Sequence, residues 1–395
     1  MTKFDLINKF RNYDNDIQFH DNITQLLKLS EIYPDFTDYI YVQIGNLYKQ
    51  YMKMYSIISL KFYQDSLKFK DGKCDYNSKL CLFFENCIYS LKKDRAKLRL
   101  DSVKDSSIKD FYMGMYKYIY NINDYELNLK KFIKSGTEIY QSIPLKTYIF
   151  SDEILDNKKI LEEYKLKELI YKKDEFLVIT SCDINYFNLY GYYILESFKI
   201  HNSNVNITLI IDIIINKNQK SLDMENLIKK YNNTKNIDIC FKYTSCKNIK
   251  AYSSTLRFCR AYYQCKNKCL VIDVDSVILK SMKDLFIDMN NYDIGSRILE
   301  HVYPWQKYTA GFCFFNNSTI SNNILKDIFI FLNNKMYFTE ELWWIDQNSL
   351  EYGIRNCNSE YNLKINNYFG IKDKYIISPT GSINSKIKFL KSKVN

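Results

Sequence analysis

The sequence predicts two parts of different class: an α/β domain over residues 175–395, preceded by an all-α region over residues 1–171. Three observations carry this. From Glu175 onward, short apolar runs rich in β-branched residues, namely EFLVITSC (175–182), NITLIIDI (206–213), KCLVIDVD (268–275) and YDIGSRIL (292–299), alternate with segments of helical character. Such alternation signals a largely parallel sheet buried on both faces. Before Glu175, apolar residues recur at three-to-four spacing with no useful period-two stretch, which signals helices. A length of 395 residues favours two domains. The expected boundary is Lys172-Lys173-Asp174.

Taken in order, Ile23 to Lys70 reads as two antiparallel helices, with breaks near Tyr33-Pro34-Asp35 and again near Met52-Lys53. Gly45 is small enough to let two helices approach, and Tyr48 would fill the groove beside it. Ser59, Tyr63 and Ser66 offer small, aromatic and small positions on the next helix. A weaker echo begins at Phe111, with Gly114 and Tyr125 in corresponding places. These residues resemble a tetratricopeptide repeat, whose units bury their faces only by stacking, so that two or three are expected together. A generic helical bundle is the alternative.

Composition limits the classes further. Gly (10) and Pro (4) are too scarce for collagen-like or linker-rich chains, so Asn and Asp must make many of the turns. No window reaches the roughly 18–20 apolar residues of a membrane span; the longest, ITLIIDIII (207–215), contains Asp212. The N-terminal stretch is acidic from Asp5 onward and has no apolar core of secretory length, so a cytoplasmic protein is expected. Eleven cysteines without a repeated CxxC pair read as buried thiols rather than a disulfide framework or zinc site. Three histidines leave little room for His-based chemistry. The net charge of +11 reads first as a lysine-rich solvated surface. The basic tail KIKFLKSKVN (386–395) reads the same way, with peripheral contact to an anionic membrane as the alternative. Nucleic-acid binding has only charge and aromatic content behind it and no recognisable module.

The sharpest chemical feature is CLVIDVDSVILKSMKDLF (269–286). A buried strand ending in Asp273-Val274-Asp275 would put both carboxylates on one face by period-two geometry, where a parallel sheet opens to its ligand crevice. Two hard oxygen donors there suit Mg²⁺ or Mn²⁺ bridging to substrate phosphates. A polar strand end is the plain alternative.

With these surroundings, residues 175 to about 385 resemble the nucleotide-sugar-dependent glycosyltransferases of the GT-A fold, in particular family 8, which includes galactosyltransferases and glycogenin-like enzymes. The resemblance assigns roles. In EFLVITSCDINYFNLYGYYILESFKIHN, Asp183 and Tyr186 match positions that contact the nucleobase; a helix N-cap is the other reading of Asp183. Arg257, in Ser254-Thr255-Leu256-Arg257-Phe258, matches an arginine that holds donor phosphate or sugar, for which a planar guanidinium fork is suited; a structural salt bridge is the other reading. Gly311, in Thr309-Ala310-Gly311-Phe312, would let the backbone approach the hexose. Asp346 and Gln347, after Trp343-Trp344-Ile345, match a pair that contacts donor sugar hydroxyls near the reacting centre.

One segment departs from the family pattern. Where the family closes its metal site with a histidine, this chain reads SPTGSINSK (378–386), retaining Gly381 without the histidine. Lys386, two residues late, is left as a cation for the diphosphate. The resemblance therefore implies a hexosyltransferase that uses a UDP-sugar and Mn²⁺ or Mg²⁺, with Asp273 and Asp275 as metal ligands and retention of configuration. The acceptor, whether glycan, lipid-linked or protein, is unassigned, and the helical region is expected to engage a protein partner or present the acceptor. The competing reading is a catalytically silent glycosyltransferase-like scaffold that binds nucleotide or partner only.

Overall fold

Capping side chains set the helix starts in the N-terminal part. Asn15, Ser56, Asp75 and Ser106 each accept a hydrogen bond from the backbone N–H three residues on, satisfying a donor that the first turn leaves open. The helices are α1 (Lys3–Asn8), α2 (Asp16–Ile32), α3 (Thr37–Tyr51), α4 (Ile57–Ser66), α5 (Tyr76–Ser90), α6 (Lys93–Asp101), α7 (Ser107–Ile119) and α8 (Tyr125–Lys134). The breaks at Tyr33–Phe36 and at Met52 divide the stretch into parts of three helices, α2, α3 and α4, rather than the two expected. Gly45 has the packing role expected of it: a Cβ there would lie 2.5 Å from a Tyr63 ring carbon. At Gly114 the same atom would lie 2.7 Å from Leu129. Ser59, Tyr63 and Ser66 are all buried, and Tyr48 stacks on Phe62. Beneath this packing, Lys79 and Asp38 form a buried ion pair at 3.1 Å.

The computed structural model describes residues 2–52, 56–153, 155, 160–172, 175–216, 235–336, 344–360, 362–368 and 372–394. The chain divides into two compact units, Met1–Ile139 and Tyr140–Asn395. This division precedes the boundary at 172–174 that the sequence indicated, of which Lys173 and Asp174 lie outside the described residues. The reason is that 140–172, although without strands among its described residues, belongs with the second unit. Tyr164 joins the sheet core, the Lys167 carbonyl accepts from Arg260, and the Lys172 carbonyl accepts from Asn267.

The second unit is α/β. Strands β1 (Phe176–Asp183), β2 (Ile207–Asn216), β3 (Ile237–Thr244), β4 (Lys268–Ile272), β5 (Val277–Ile278), β6 (Ile294–Ile298), β7 (Tyr308–Phe315), β8 (Ile365–Asn367) and β9 (Ile376–Ile377) alternate with α9 (Ile184–Asn202), α10 (Ile249–Tyr263), α11 (Lys283–Asp288), α12 (Thr319–Lys335), α13 (Ile345–Glu360), α14 (Lys372–Tyr375) and α15 (Ile383–Val394). Seven strands form one mostly parallel sheet in the order β3-β2-β1-β4-β7-β6-β8, with β7 antiparallel to both its neighbours; β5 and β9 pair separately. Period two divides the apolar residues between two cores. Leu177, Ile179, Ile210, Ile214 and Val271 face α10, α12 and α13, while Val178, Leu209, Ile211, Leu270 and Ile272 face α9. Both faces are therefore covered, as the continuous apolar runs predict. The successive strands β1, β2 and β3 run outward to one side, and β4 lies on the other side of β1. That reversal makes the carboxyl ends of β1 and β4 the switch point where open α/β sheets bind ligands. Among the described residues no helix is long and apolar enough to cross a membrane.

Candidate active site

Every site residue named from the sequence gathers at this switch point. β1 ends in Asp183, whose side chain caps α9 by accepting from the Tyr186 N–H at 2.9 Å. The first turn of α9 consequently aims Tyr186 across the strand ends, where its hydroxyl donates to Asp275 Oδ2 at 2.9 Å. Lys386 reaches the same oxygen from α15, at 2.6 Å. Burial works against the Lys386 charge, but Asp275 outweighs it and raises its pKa above the ordinary value. Burial and Asp275 together also raise that of Tyr186.

The expected strand geometry of the Asp-Val-Asp motif needs correction. β4 stops at Ile272, so Asp273 lies just past the strand and Asp275 in the following turn. With Val274 turned into the core, the two carboxylates acquire different neighbours instead of sharing one strand face. Asp275 belongs to the Tyr186–Lys386 group, and Asp273 pairs with Arg257. The Asp273 side chain is 37% exposed and that of Asp275 9%, so Asp273 is the more open to a ligand.

Arg257 links the remaining parts. It projects from α10 with its backbone N–H held by Ser181 Oγ at 2.9 Å. One guanidinium nitrogen donates to Asp273 and the other to Asp346 Oδ2, at 3.3 Å. Burial opposes the charge, yet the two carboxylates outweigh it and raise the Arg257 pKa. Burial raises the pKa of Asp346, reinforced by Asp273 and opposed by Arg257. Asp346 sits in the first turn of α13 and accepts from the Gln347 N–H at 2.9 Å; Trp343 lies outside the described residues. Gln347 Oε1 and Arg257 Nε are buried without a hydrogen-bond partner among the described residues, polar capacity that a ligand can use. Gly311 on β7 makes the crowding possible, because a Cβ there would lie 2.2 Å from Asp273 Oδ2.

Three neighbours were not singled out from the sequence. Ser181 precedes Asp183 by two residues on β1, and Ser253 accepts its hydroxyl hydrogen. Tyr190 stands one turn beyond Tyr186, with ring centroids 4.6 Å apart; the i, i+4 spacing was the available signal. Leu390 anchors the C-terminal helix: it is buried beside Tyr190 and Val277. The tail expected as disordered, solvated lysines is therefore helical through Val394, with Lys388, Lys391 and Lys393 exposed and Leu390 packed, which fixes Lys386 in place.

Asp273 and Asp275 offer hard oxygen donors, and this donor set fits Mg²⁺ or Mn²⁺ completed by phosphate and water. Among the described residues no group of three His, Cys, Asp or Glu side chains is arranged to hold an ion.

No family model matches the sequence, and no curated protein matches it. Among solved structures, the chain is similar to the apo form of the glycosyltransferase GlyE from Streptococcus pneumoniae TIGR4, at 16% identity over 46% of this chain and 44% of that one, with a TM-score of 0.32. Similarity to the galactosyltransferase LgtC in complex with donor and acceptor sugar analogues is 13% over 46% and 71%, with a TM-score of 0.31. For the bifunctional WbbM apo structure it is 13% over 84% and 63%, with a TM-score of 0.35. The match thus spans less than half the length of GlyE. At these TM-scores a shared fold does not follow, and function has to be argued from the residues of the site.

Proposed function

We propose that this chain is a glycosyltransferase that moves a hexose from a UDP-sugar to an acceptor, with Mn²⁺ or Mg²⁺ held by Asp273 and Asp275. The observation that carries the reading is the pair of adjoining clusters at the β1/β4 switch point, Arg257 with Asp273 and Asp346, and Lys386 and Tyr186 with Asp275, beside buried, unspent polar atoms. Fixed charges in a shielded crevice suit a reaction whose leaving group gathers negative charge while its reacting carbon becomes positive. The metal, when bound, would supply positive charge at the departing diphosphate.

The chain's own residues divide the remaining work. Arg257 stabilises the diphosphate or sugar from the buried side, and Lys386 exchanges Asp275 for phosphate as the donor enters. Asp346 and Gln347 orient sugar hydroxyls beside the anomeric carbon, with retention of configuration as the expected outcome. Tyr186 offers its ring to the base while its hydroxyl stays on Asp275, and Asp183 fixes the helix end that carries it. Gly311 leaves room for the hexose. The helical unit, in this reading tetratricopeptide-like, presents the acceptor or a protein partner.

A second reading has one observation in its favour: both motif carboxylates already hold cationic side chains, as a silent nucleotide-binding scaffold would require. UDP release from a panel of UDP-sugars with Mn²⁺ or Mg²⁺, wild type against Asp275→Ala, separates the two. Metal-dependent release that disappears in a folded variant supports transfer chemistry. UDP binding without release supports the scaffold, and no nucleotide binding at all rejects both.

A further inference from the structure

The N-terminal unit contains a groove of about 330 Å³ lined by Arg11, Asn12, Gln43, Asn46, Leu47 and Gln50. Gln43, Asn46, Leu47 and Gln50 fall on one face of α3 at i, i+3, i+4 and i+7, while Arg11 and Asn12 come from the loop after α1. We propose that this groove is a carbohydrate-binding site that takes the end of a neutral oligosaccharide.

Three supporting contacts show that the groove is built. Buried Asn22 donates to the carbonyls of Phe10 and Asn12, at 3.4 and 2.9 Å, and fastens the loop. Tyr39 accepts from Arg11 Nη2 at 2.6 Å and donates to Asn8 at 2.7 Å, which aims the guanidinium. Tyr63 donates to Asn46 Oδ1 at 2.9 Å, leaving the Asn46 amide hydrogens for the groove. The strongest pointer is Gln43. It is only 7% exposed, lines the groove, and its side chain makes no hydrogen bond among the described residues. With no partner among the described residues, that amide keeps both its donors and its acceptor for what enters the groove.

The lining also selects the class of ligand. Four primary amides line it, Asn46 offering its amide hydrogens and Asn12, Gln43 and Gln50 a donor and an acceptor in one plane, a pattern that bridges neighbouring hydroxyls. In a chain of net charge +11, the described residues lining the groove include one cation, hydrogen-bonded to Tyr39, and no lysine. It is thus matched to a neutral polyhydroxyl ligand and not to an anion. Leu47 supplies an apolar floor for a sugar face, and the volume is at the small end for ligand sites, suiting a chain end.

The groove shares no residue with the β1/β4 crevice, so binding at the two is measured separately. The full chain is applied to an array of neutral, sialylated and sulfated oligosaccharides, and hits are titrated against wild type, Gln43→Leu and Gln50→Ala, each checked for an unchanged melting profile. Expected is binding to neutral glycans, weakened about tenfold by Gln43→Leu and a few-fold by Gln50→Ala, with UDP binding at the β1/β4 crevice unchanged in both. If Gln43→Leu fails to fold, the exposed Gln50→Ala and an Asn12→Ala variant decide. No glycan binding, binding confined to the anionic glycans, or binding indifferent to these substitutions overturns the proposal.

Discussion

Arg257 and Arg260 stand three residues apart on α10, and each pairs with an aspartate, yet the two pairs do different things. Arg260 grips Asp212 with two hydrogen bonds of 2.8 and 2.6 Å, and both side chains are almost wholly buried. Its third contact, to the Lys167 carbonyl, ties down the segment ahead of β1. Arg257 is equally buried, but it shares itself between Asp273 and Asp346, and Asp273 opens to solvent. A closed pair satisfies itself and specifies architecture. A shared cation with an open carboxylate retains capacity for a ligand. The lesson is that residue type and burial did not separate structure from site; the exposure of the partner did.

The largest effect that tests this contrast is on stability. Arg260→Met leaves Asp212 charged and alone in the core, and should cost about 3–5 kcal/mol in urea unfolding. Replacing both partners, as Asp212→Leu with Arg260→Met, should recover most of that loss. A single variant as stable as wild type would refute the closed-pair assignment.

Next is the open site. Asp275→Ala should reduce UDP release by about 10²–10³-fold while the urea midpoint moves little, because its partners Tyr186 and Lys386 lie near solvent. A variant that merely unfolds, or one that keeps full activity, would remove Asp275 from the chemistry.

How far the sequence could foresee this depended on how local the determining interactions are. The four apolar runs found β1, β2, β4 and β6 because continuous burial is written in consecutive residues. β3 was missed: in IDICFKYT the burial is broken by Lys242 and Tyr243, as befits the outermost strand of the sheet. The Asp273/Asp275 motif was visible as a short pattern, but its turn geometry was not, since β4 ends at Ile272, three residues before the Asp275 end that the sequence implies. Lys386 illustrates the limit. Its contact with Asp275 spans 111 residues and depends on α15 docking through Leu390, which no local pattern encodes. The segment 140–172 was misassigned for the same reason, since its polar tethers lie on distant helices and strands.

A smaller effect is expected at Gly311. Gly311→Ala pushes a methyl group against Asp273, and should cost about 1–3 kcal/mol of stability together with a several-fold weaker UDP affinity by titration calorimetry. Unchanged affinity would detach β7 from the site.

The smallest is a pH effect in the helical unit, where Asp38 and Lys79 form another closed pair. Burial opposes the Asp38 charge, but the Cys74 and Lys73 N–H groups and Lys79 outweigh it and hold the carboxyl below its ordinary range. A lowered folded pKa means stability that is present above the ordinary carboxylate pKa and lost as pH falls through the folded value. Urea midpoints from pH 7 to 3 should fall less steeply for Asp38→Leu with Lys79→Met than for wild type. Equal acid slopes would show that this pair is not what titrates.

The Arg260–Asp212 clamp has a mechanical consequence for the crevice. A helix packed by apolar contacts alone can roll about its long axis at little cost, but a two-point grip to a sheet strand fixes its rotational phase. Arg257 sits about 300° around the same axis, so the aim of its guanidinium into the crevice inherits its tolerance from a pair that is itself closed off from solvent.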